Sequence, residues 1–344
     1  MKLRTIGIDL GKTTFHLIGM DERGNVLLRR RFSRTQLITY ISKLDTCLIG
    51  MEACSGSNIL GRTLRAQGHT VRLIPAQFVR PFVKSNKNDY NDAEAIAEAV
   101  QKPNMRFVPI KTEDQLDLQA IHRTRERFVT QRTRVINQIR AYLLERGIVL
   151  RTGRLYLQKQ MASILEDGEQ RLSGLVRRLL DVLWQEWKHL DVQIAELQQQ
   201  IETIAEQDEA CQRLMEIPGI GPLASTLMVA AVGNGSAFRR GRDFSAWLGI
   251  VPAQASTGGK SRLLGISKRG NKYLRQLFVH GARSCKTHMN REKHPFGEWV
   301  TALEKRSHSN VVSVALANKI ARIAWSVLAR GERYRAHGPV VQVA

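Results

Sequence analysis

Near the N-terminus, apolar and polar positions alternate through three runs, TIGIDLG, TFHLIGMD and VLLRRRF, which predicts β-strands. Asp21-Glu22-Arg23-Gly24-Asn25 separates the second run from the third with turn-forming residues, so the three strands read as an antiparallel meander. The period then changes. A helical stretch around Gln36 to Leu44 is followed by the strand-like run CLIGMEA, ending at Ser55-Gly56-Ser57, by a helix through Leu64, and by a further strand VRLIPA. Strands alternating with helices after a meander predict a mixed α/β sheet.

Further along, Val176, Leu180, Leu183, Trp187, Leu190, Ile194, Leu197, Ile201 and Ile204 are spaced alternately by four and three, with charged and Gln residues between them. This heptad seam predicts a coiled coil through which copies of the chain associate, as a dimer or tetramer; an antiparallel helical hairpin within one chain uses the same periodicity. A second globular part begins near Asp208 with IPGIGPLASTLMVAAVG, and residues 333–344 read as a flexible tail. The pattern divides the chain into an α/β domain (1–153), a helical coiled-coil connector (154–208) and a mainly helical domain (209–344).

Charge narrows the function. Lys plus Arg number 53 against 31 Asp plus Glu, a formal net charge of +22, which calls for a polyanionic partner, nucleic acid first. Residues 123–154 hold nine arginines and only two acids, Glu126 and Glu145, on a helical background, and are expected to lie against phosphates. No run approaches the ~18 apolar residues of a membrane-spanning helix, and no apolar leader with a cleavage site opens the chain, so the expected location is the cytoplasm, at the nucleoid. Cys47, Cys54, Cys211 and Cys285 form no C-x-x-C pair and read as reduced packing residues.

The candidate chemistry lies in four acids. Asp9 closes the first predicted strand in G-I-D-L-G, Glu52 closes a later one in I-G-M-E-A, and Asp89 and Asp92 stand three apart at the entrance to a helix, where both can share one face. Phosphodiester cleavage uses divalent ions held by hard oxygen ligands, and carboxylates without a supporting His suit Mg²⁺ or Mn²⁺ over zinc. Singly, each acid has a plain reading as turn residue, strand-end charge, solvated loop acid or helix cap.

Two further motifs stand downstream. P-G-I-G-P resembles a helix-hairpin-helix turn, where Gly219 and Gly221 let backbone N–H groups approach a phosphate. The acid-free block at residues 258–277 carries Lys260, Arg262, Lys268, Arg269, Lys272 and Arg275 and reads as a nucleic-acid contact.

In this order, Asp, Glu, D-x-x-D, then I-P-G-I-G-P-L-A and S-T-G-G-K-S-R-L-L-G-I-S-K-R-G-N-K-Y-L-R, the chain resembles the insertion-sequence one-ten family of DEDD transposases over nearly its whole length. The resemblance implies a RuvC-like, ribonuclease H-like N-terminal domain whose acids are Asp9, Glu52, Asp89 and Asp92. It also implies a serine in the C-terminal transposase domain, upstream of K-R-G, that forms a protein–DNA phosphoserine bond. Ser256 occupies that place, with Thr257 and Ser261 nearby. Relatives use a structured guide RNA to select donor and target DNA by base pairing, so RNA is an expected partner beside DNA. Three other readings compete: a Holliday-junction resolvase-like nuclease that forms no covalent intermediate, a nucleotide-binding enzyme suggested by G-I-D-L-G-K-T-T-F, and a non-enzymatic nucleic-acid scaffold.

Overall fold

Side chains in a strand point alternately to its two faces, and here that alternation decides what each face can pack against. In β1 (Thr5–Leu10) the large Ile6 and Ile8 go one way, while Thr5, Gly7 and Asp9 go the other. The computed structural model describes residues 2–84, 88–166 and 172–335. By its internal contacts the chain parts into two units, residues 1–113 with 235–239, and residues 114–234 with 240–344.

In the first unit, β1, β2 (Thr14–Met20) and β3 (Val26–Ser33) form the antiparallel meander. Asp21 fixes its second turn, its Oδ1 accepting from the N–H groups of Arg23 and Asn25, each at 2.9 Å. Helix α1 (Arg34–Ile41) follows at once, started by a reciprocal capping box between Ser33 and Gln36. Next come β4 (Leu48–Glu52), α2 (Ser57–Ala66), β5 (Thr70–Ile74), the short α3 (Ala76–Val79), a 3-10 turn at Arg80–Phe82, and α4 (Asp89–Ala99). The strand order is β3-β2-β1-β4-β5, with β1, β4 and β5 parallel, so the sheet is mixed as expected.

One face buries Ile6, Ile8, Phe15, Leu17, Ile49 and Met51 with Leu37 and Ile41 of α1 and Leu60 and Leu64 of α2. The other face takes α4, and it can do so because it is floored by glycine. A Cβ on Gly7 would sit 2.1 Å from the Ala93 carbonyl oxygen, and one on Gly50 2.8 Å from the Val100 Cβ. Ala93 and Ala97 of α4 then close over Ile18 and Met20.

The second unit contains α5 (Glu113–Leu144, apart from its first residue), α6 (Arg154–Glu166), α7 (Gly174–Gln207), α8 (Glu209–Met215), α9 (Pro222–Val232), α10 (Gly241–Leu248), the hairpin β6 (Pro252–Thr257) and β7 (Lys260–Ile266), α11 (Lys272–His288), α12 (Gly297–Glu304) and α13 (Ser309–Arg330). The division by internal contacts at residue 113 lies ahead of the boundary expected near 153, and Val135, Ile139 and Leu143 of α5 share one core with Leu157 and Met161 of α6 and with α7. Three sequence expectations change here. The heptad seam is covered within the chain: Val176, Leu180, Trp187 and Leu190 lie in that core, and further along α7 packs on α8 and α9. Helix α13 does meet the length and composition of a membrane span, yet Leu316, Ile320, Ala324 and Leu328 are buried and the helix packs on α8, α10 and α11. Several arginines of residues 123–154 bind protein rather than projecting outward: Arg132 and Arg154 both reach Asp191, at 2.7 and 2.9 Å, and Arg140 donates to the carbonyls of Arg151 and Gly153. At the start of the expected tail, Tyr334 N–H donates to Glu216 Oε2; residues 336–344 lie outside the described residues.

Candidate active site

Asp9 and Glu52 end neighbouring parallel strands, one residue past the Ile8–Met51 pair, and both belong to the face that α4 covers. Because Gly7 draws α4 down onto β1, the first turn of that helix, with Asp89 and Asp92, arrives over the same strand ends. Asn88 starts the helix by accepting the Tyr90 N–H, and two acids in a first turn are favoured by the helix dipole. Three elements thus bring all four sequence-predicted acids together in the first unit.

Their crowding is electrostatically costly. Burial and the charges of Asp92, Asp89 and Glu52 push the Asp9 carboxyl up to about 6, against a partial opposing pull from His16. Glu52 is raised as well, by burial and by Asp92. Cys54 is an exposed residue and not the packing residue the sequence suggested, and partial desolvation, then Glu52 and Asp9, raise the pKa of its thiol.

His16 is the residue that sequence reasoning missed. It pairs with Asp9 across the β1–β2 hairpin, and its Nδ1 lies 3.4 Å from Asp89 Oδ2. Donor atoms of Asp9, His16 and Asp89 all fall within 4.8 Å of one another, so the expectation of an all-carboxylate cluster without histidine is corrected. Tyr90 packs edge-on against the His16 ring at 4.7 Å, and the Arg29 guanidinium covers Tyr90 at 4.2 Å.

Ser256 lies in the second unit on the β6–β7 hairpin, where a flexible loop was expected. Gly258 and Gly259 make its two-residue turn with φ of +53° and +77°, values that favour glycine. Ser256 faces Ser261 across the strands, and the Gln254 amide donates to both hydroxyls, at 2.7 and 3.2 Å. Thr257, one residue on, alternates to the opposite face.

Comparison with known proteins fixes the family. Residues 6–147 match the family model of the IS110 DEDD transposases, and residues 211–297 match that of the transposase IS116/IS110/IS902 family. The chain is 46% identical to the transposase for insertion sequence element IS1328 of Yersinia enterocolitica, across 95% of this chain and 97% of the relative. It is 41% identical to the transposase for IS1111A of Coxiella burnetii, across 97% and 92%. The chain belongs to the IS110 family of insertion-sequence transposases.

In this transposase the remaining sequence-predicted residues stand in different settings. Lys260 and Arg262 on β7, Lys268 and Arg269 in the following loop, and Lys272 at the start of α11 are exposed cations. Arg275 is turned inward, donating to the carbonyls of Leu248 and Arg269 at 3.1 and 2.7 Å, so it braces the K-R-G loop. That loop fits only because Gly270 abuts Trp247, where a Cβ would lie 1.8 Å from the carbonyl oxygen. Gly219, at φ +92° in the turn between α8 and α9, faces the Gly281 carbonyl 2.8 Å from where its Cβ would stand. Its missing side chain therefore serves helix packing, a reason the sequence did not disclose. Gly221 precedes Pro222 at the start of α9 with open space around it.

Proposed function

We propose that this transposase cuts and rejoins DNA through a covalent phosphoserine at Ser256, assisted by Mg²⁺ or Mn²⁺ on Asp9, Glu52, Asp89 and Asp92. The observation that carries the reading is the convergence of these four acids, from β1, β4 and α4, into one mutually repelling cluster. Such a cluster fits a hard divalent cation, because a cation offsets both the burial and the repulsion that together raise Asp9 to about 6. His16 adds a nitrogen donor compatible with Mn²⁺. When bound, the ion supplies positive charge against a scissile phosphate.

The mixed sheet, with its acids at strand ends under α4, supports a RuvC-like, ribonuclease H-like reading of the first unit. On the hairpin, the Gln254 amide orients the Ser256 hydroxyl, and Lys260 and Arg262 offer charge to a phosphorane. As the Oγ–P bond forms, one P–O bond of the DNA breaks; the serine loses its proton to solvent and the leaving oxygen gains one. The phosphoester is conserved, so a DNA hydroxyl can later attack it and release the serine. A net charge of +22 supports simultaneous binding of DNA and a structured guide RNA, and assembly of two or four copies would supply the strands to be exchanged.

The test is an SDS-resistant protein–DNA complex formed on labelled element-end DNA with Mg²⁺ and any co-purifying RNA. The complex is expected from the wild type and from Ser261→Ala, and is expected to vanish in Ser256→Ala and Asp9→Asn. Metal-dependent nicking without a complex, unaffected by Ser256→Ala, would replace this reading with a resolvase-like hydrolytic nuclease.

A further inference from the structure

At the base of the serine hairpin the second unit carries an open groove of about 1120 Å³, beyond the ~300–1,000 Å³ of a small-molecule pocket. Its walls are Leu264 and Ile266 of β7, the start of α10, Trp299 of α12 and one face of α13 with Val311, Val314 and Trp325. The lining is predominantly apolar, and the charges on it are all of one sign: Arg240, Arg242, Lys319 and Arg322, with no acid among the described residues. An apolar floor with an indole 36% exposed and a cationic margin matches a polymer that is flat and apolar in its bases and anionic in its backbone. A peptide with an apolar face would use the floor and leave the four cations without partners.

We infer that this groove holds a short unpaired segment of single-stranded DNA, its bases against Trp299 and the apolar floor and its phosphates against Arg240, Arg242 and Arg322. Lys319 is built for this role. Its ammonium stacks 4.7 Å over Trp299 and 5.2 Å over Phe296 and is half-buried, and burial and Arg322 lower its pKa, a strain that a phosphate would relieve.

The location gives the segment a purpose. Pro252 and Ile266 pair at the foot of the hairpin and line the groove, and Ser256 lies four residues up the same strand, roughly 13 Å at strand rise. DNA cut at Ser256 would have its freed end within reach of the groove. The hairpin itself is exposed along almost its whole length, with Leu263 66% and Leu264 47% accessible, and two isolated strands are marginal in water, so an occupant would also steady it. The inference rests on the proposed cutting at Ser256 for its purpose and stands on the groove alone for its binding.

The experiment is fluorescence anisotropy with a labelled dT oligonucleotide, a matched duplex and a matched RNA, using full-length Ser256→Ala protein so that no strand is cut. Trp299→Ala is expected to weaken dT binding about tenfold with an unchanged salt slope, in line with the loss of one stacked base. Arg322→Ala is expected to weaken it with a slope reduced by about 0.7, the loss of one phosphate contact. Duplex affinity should stay within about twofold in both variants. Unchanged dT binding in Trp299→Ala and Arg322→Ala overturns the inference, as does an equal loss for duplex and single strand or a loss for the RNA in these variants that exceeds the loss for dT. A wild-type protein that forms the serine adduct while the groove variants bind normally would sink this inference alone; groove-dependent binding with no adduct would sink the cutting mechanism alone.

Discussion

The carboxylate cluster and the serine hairpin are constructed in opposite ways. Asp9, Glu52, Asp89 and Asp92 stand on strand ends and a helix start held by close packing, with Gly7 and Gly50 allowing α4 to touch the sheet. Ser256 stands on two strands with almost no buried residue, oriented by one glutamine. Like charges stay close only where the surrounding structure forces them to, so a cation site demands rigidity. The hydroxyl proposed as the nucleophile would gain from a surface that settles when a large polyanionic partner arrives.

The sharpest way to break the contrast is at the acids. Asp9→Asn is expected to reduce DNA strand cleavage by at least about a thousandfold, the scale of lost charge stabilisation at a reacting phosphate. In EDTA the same variant is expected to melt at or above the wild-type temperature, because a repelling charge is gone. A loss of activity accompanied by unfolding in calorimetry would contradict that view of the cluster. Gly7→Ala attacks the scaffold: its Cβ meets the Ala93 carbonyl at 2.1 Å, so unfolding in urea is expected to come about 3 kcal/mol sooner.

Protons sharpen the comparison within the second unit. His122 is buried, and Thr226, whose hydroxyl donates to the Pro222 carbonyl at 2.6 Å, accepts from its Nε2. Among the described residues Nδ1 has no partner, and burial and Arg125 bring its pKa down to about 4. The unfolded chain therefore takes the proton first, and stability is lost as pH falls from about 6.5 through about 4, by roughly 2–3 kcal/mol. Urea midpoints across that range should show the loss in wild type and not in His122→Gln.

Asp9 has the reverse sign. Its raised pKa means that the folded chain holds the proton more tightly, so its contribution is favourable below about 4 and lost as pH rises through about 6. Added Mg²⁺ is accordingly expected to raise the melting temperature by several degrees at pH 7.5 and hardly at all at pH 5. The smallest effect is reserved for the hairpin: Ser256→Ala should change unfolding free energy by less than about 0.5 kcal/mol, since an exposed hydroxyl supports no core.

Much of the first unit was legible in the chain. Period-two runs, the turn held by Asp21 and the strand-end positions of Asp9 and Glu52 all follow from local rules that packing does not override. The partnership of His16 was less visible, although the hairpin centred on Lys12 and Thr13 sets it opposite Asp9. Only α4, arriving from far along the chain, makes that pairing matter.

The second unit hid more. Its heptad seam obeys the coiled-coil period yet is satisfied by α5, α6, α8 and α9 of the same chain, because periodicity records a buried face and not the owner of the covering surface. The A-S-T-G-G-K-S-R stretch lacks apolar alternation, so its strands were read as a loop, and the inward turn of Arg275 could not be told from the outward basic residues around it.

The most direct test of the account is Mn²⁺ binding, followed by electron paramagnetic resonance on the full chain without nucleic acid. A saturable site in the wild type that is lost in Asp9→Asn and weakened in Asp92→Asn is the expected result. Mn²⁺ bound equally well by wild type and Asp9→Asn would contradict the assignment of the cluster as a preformed cation site.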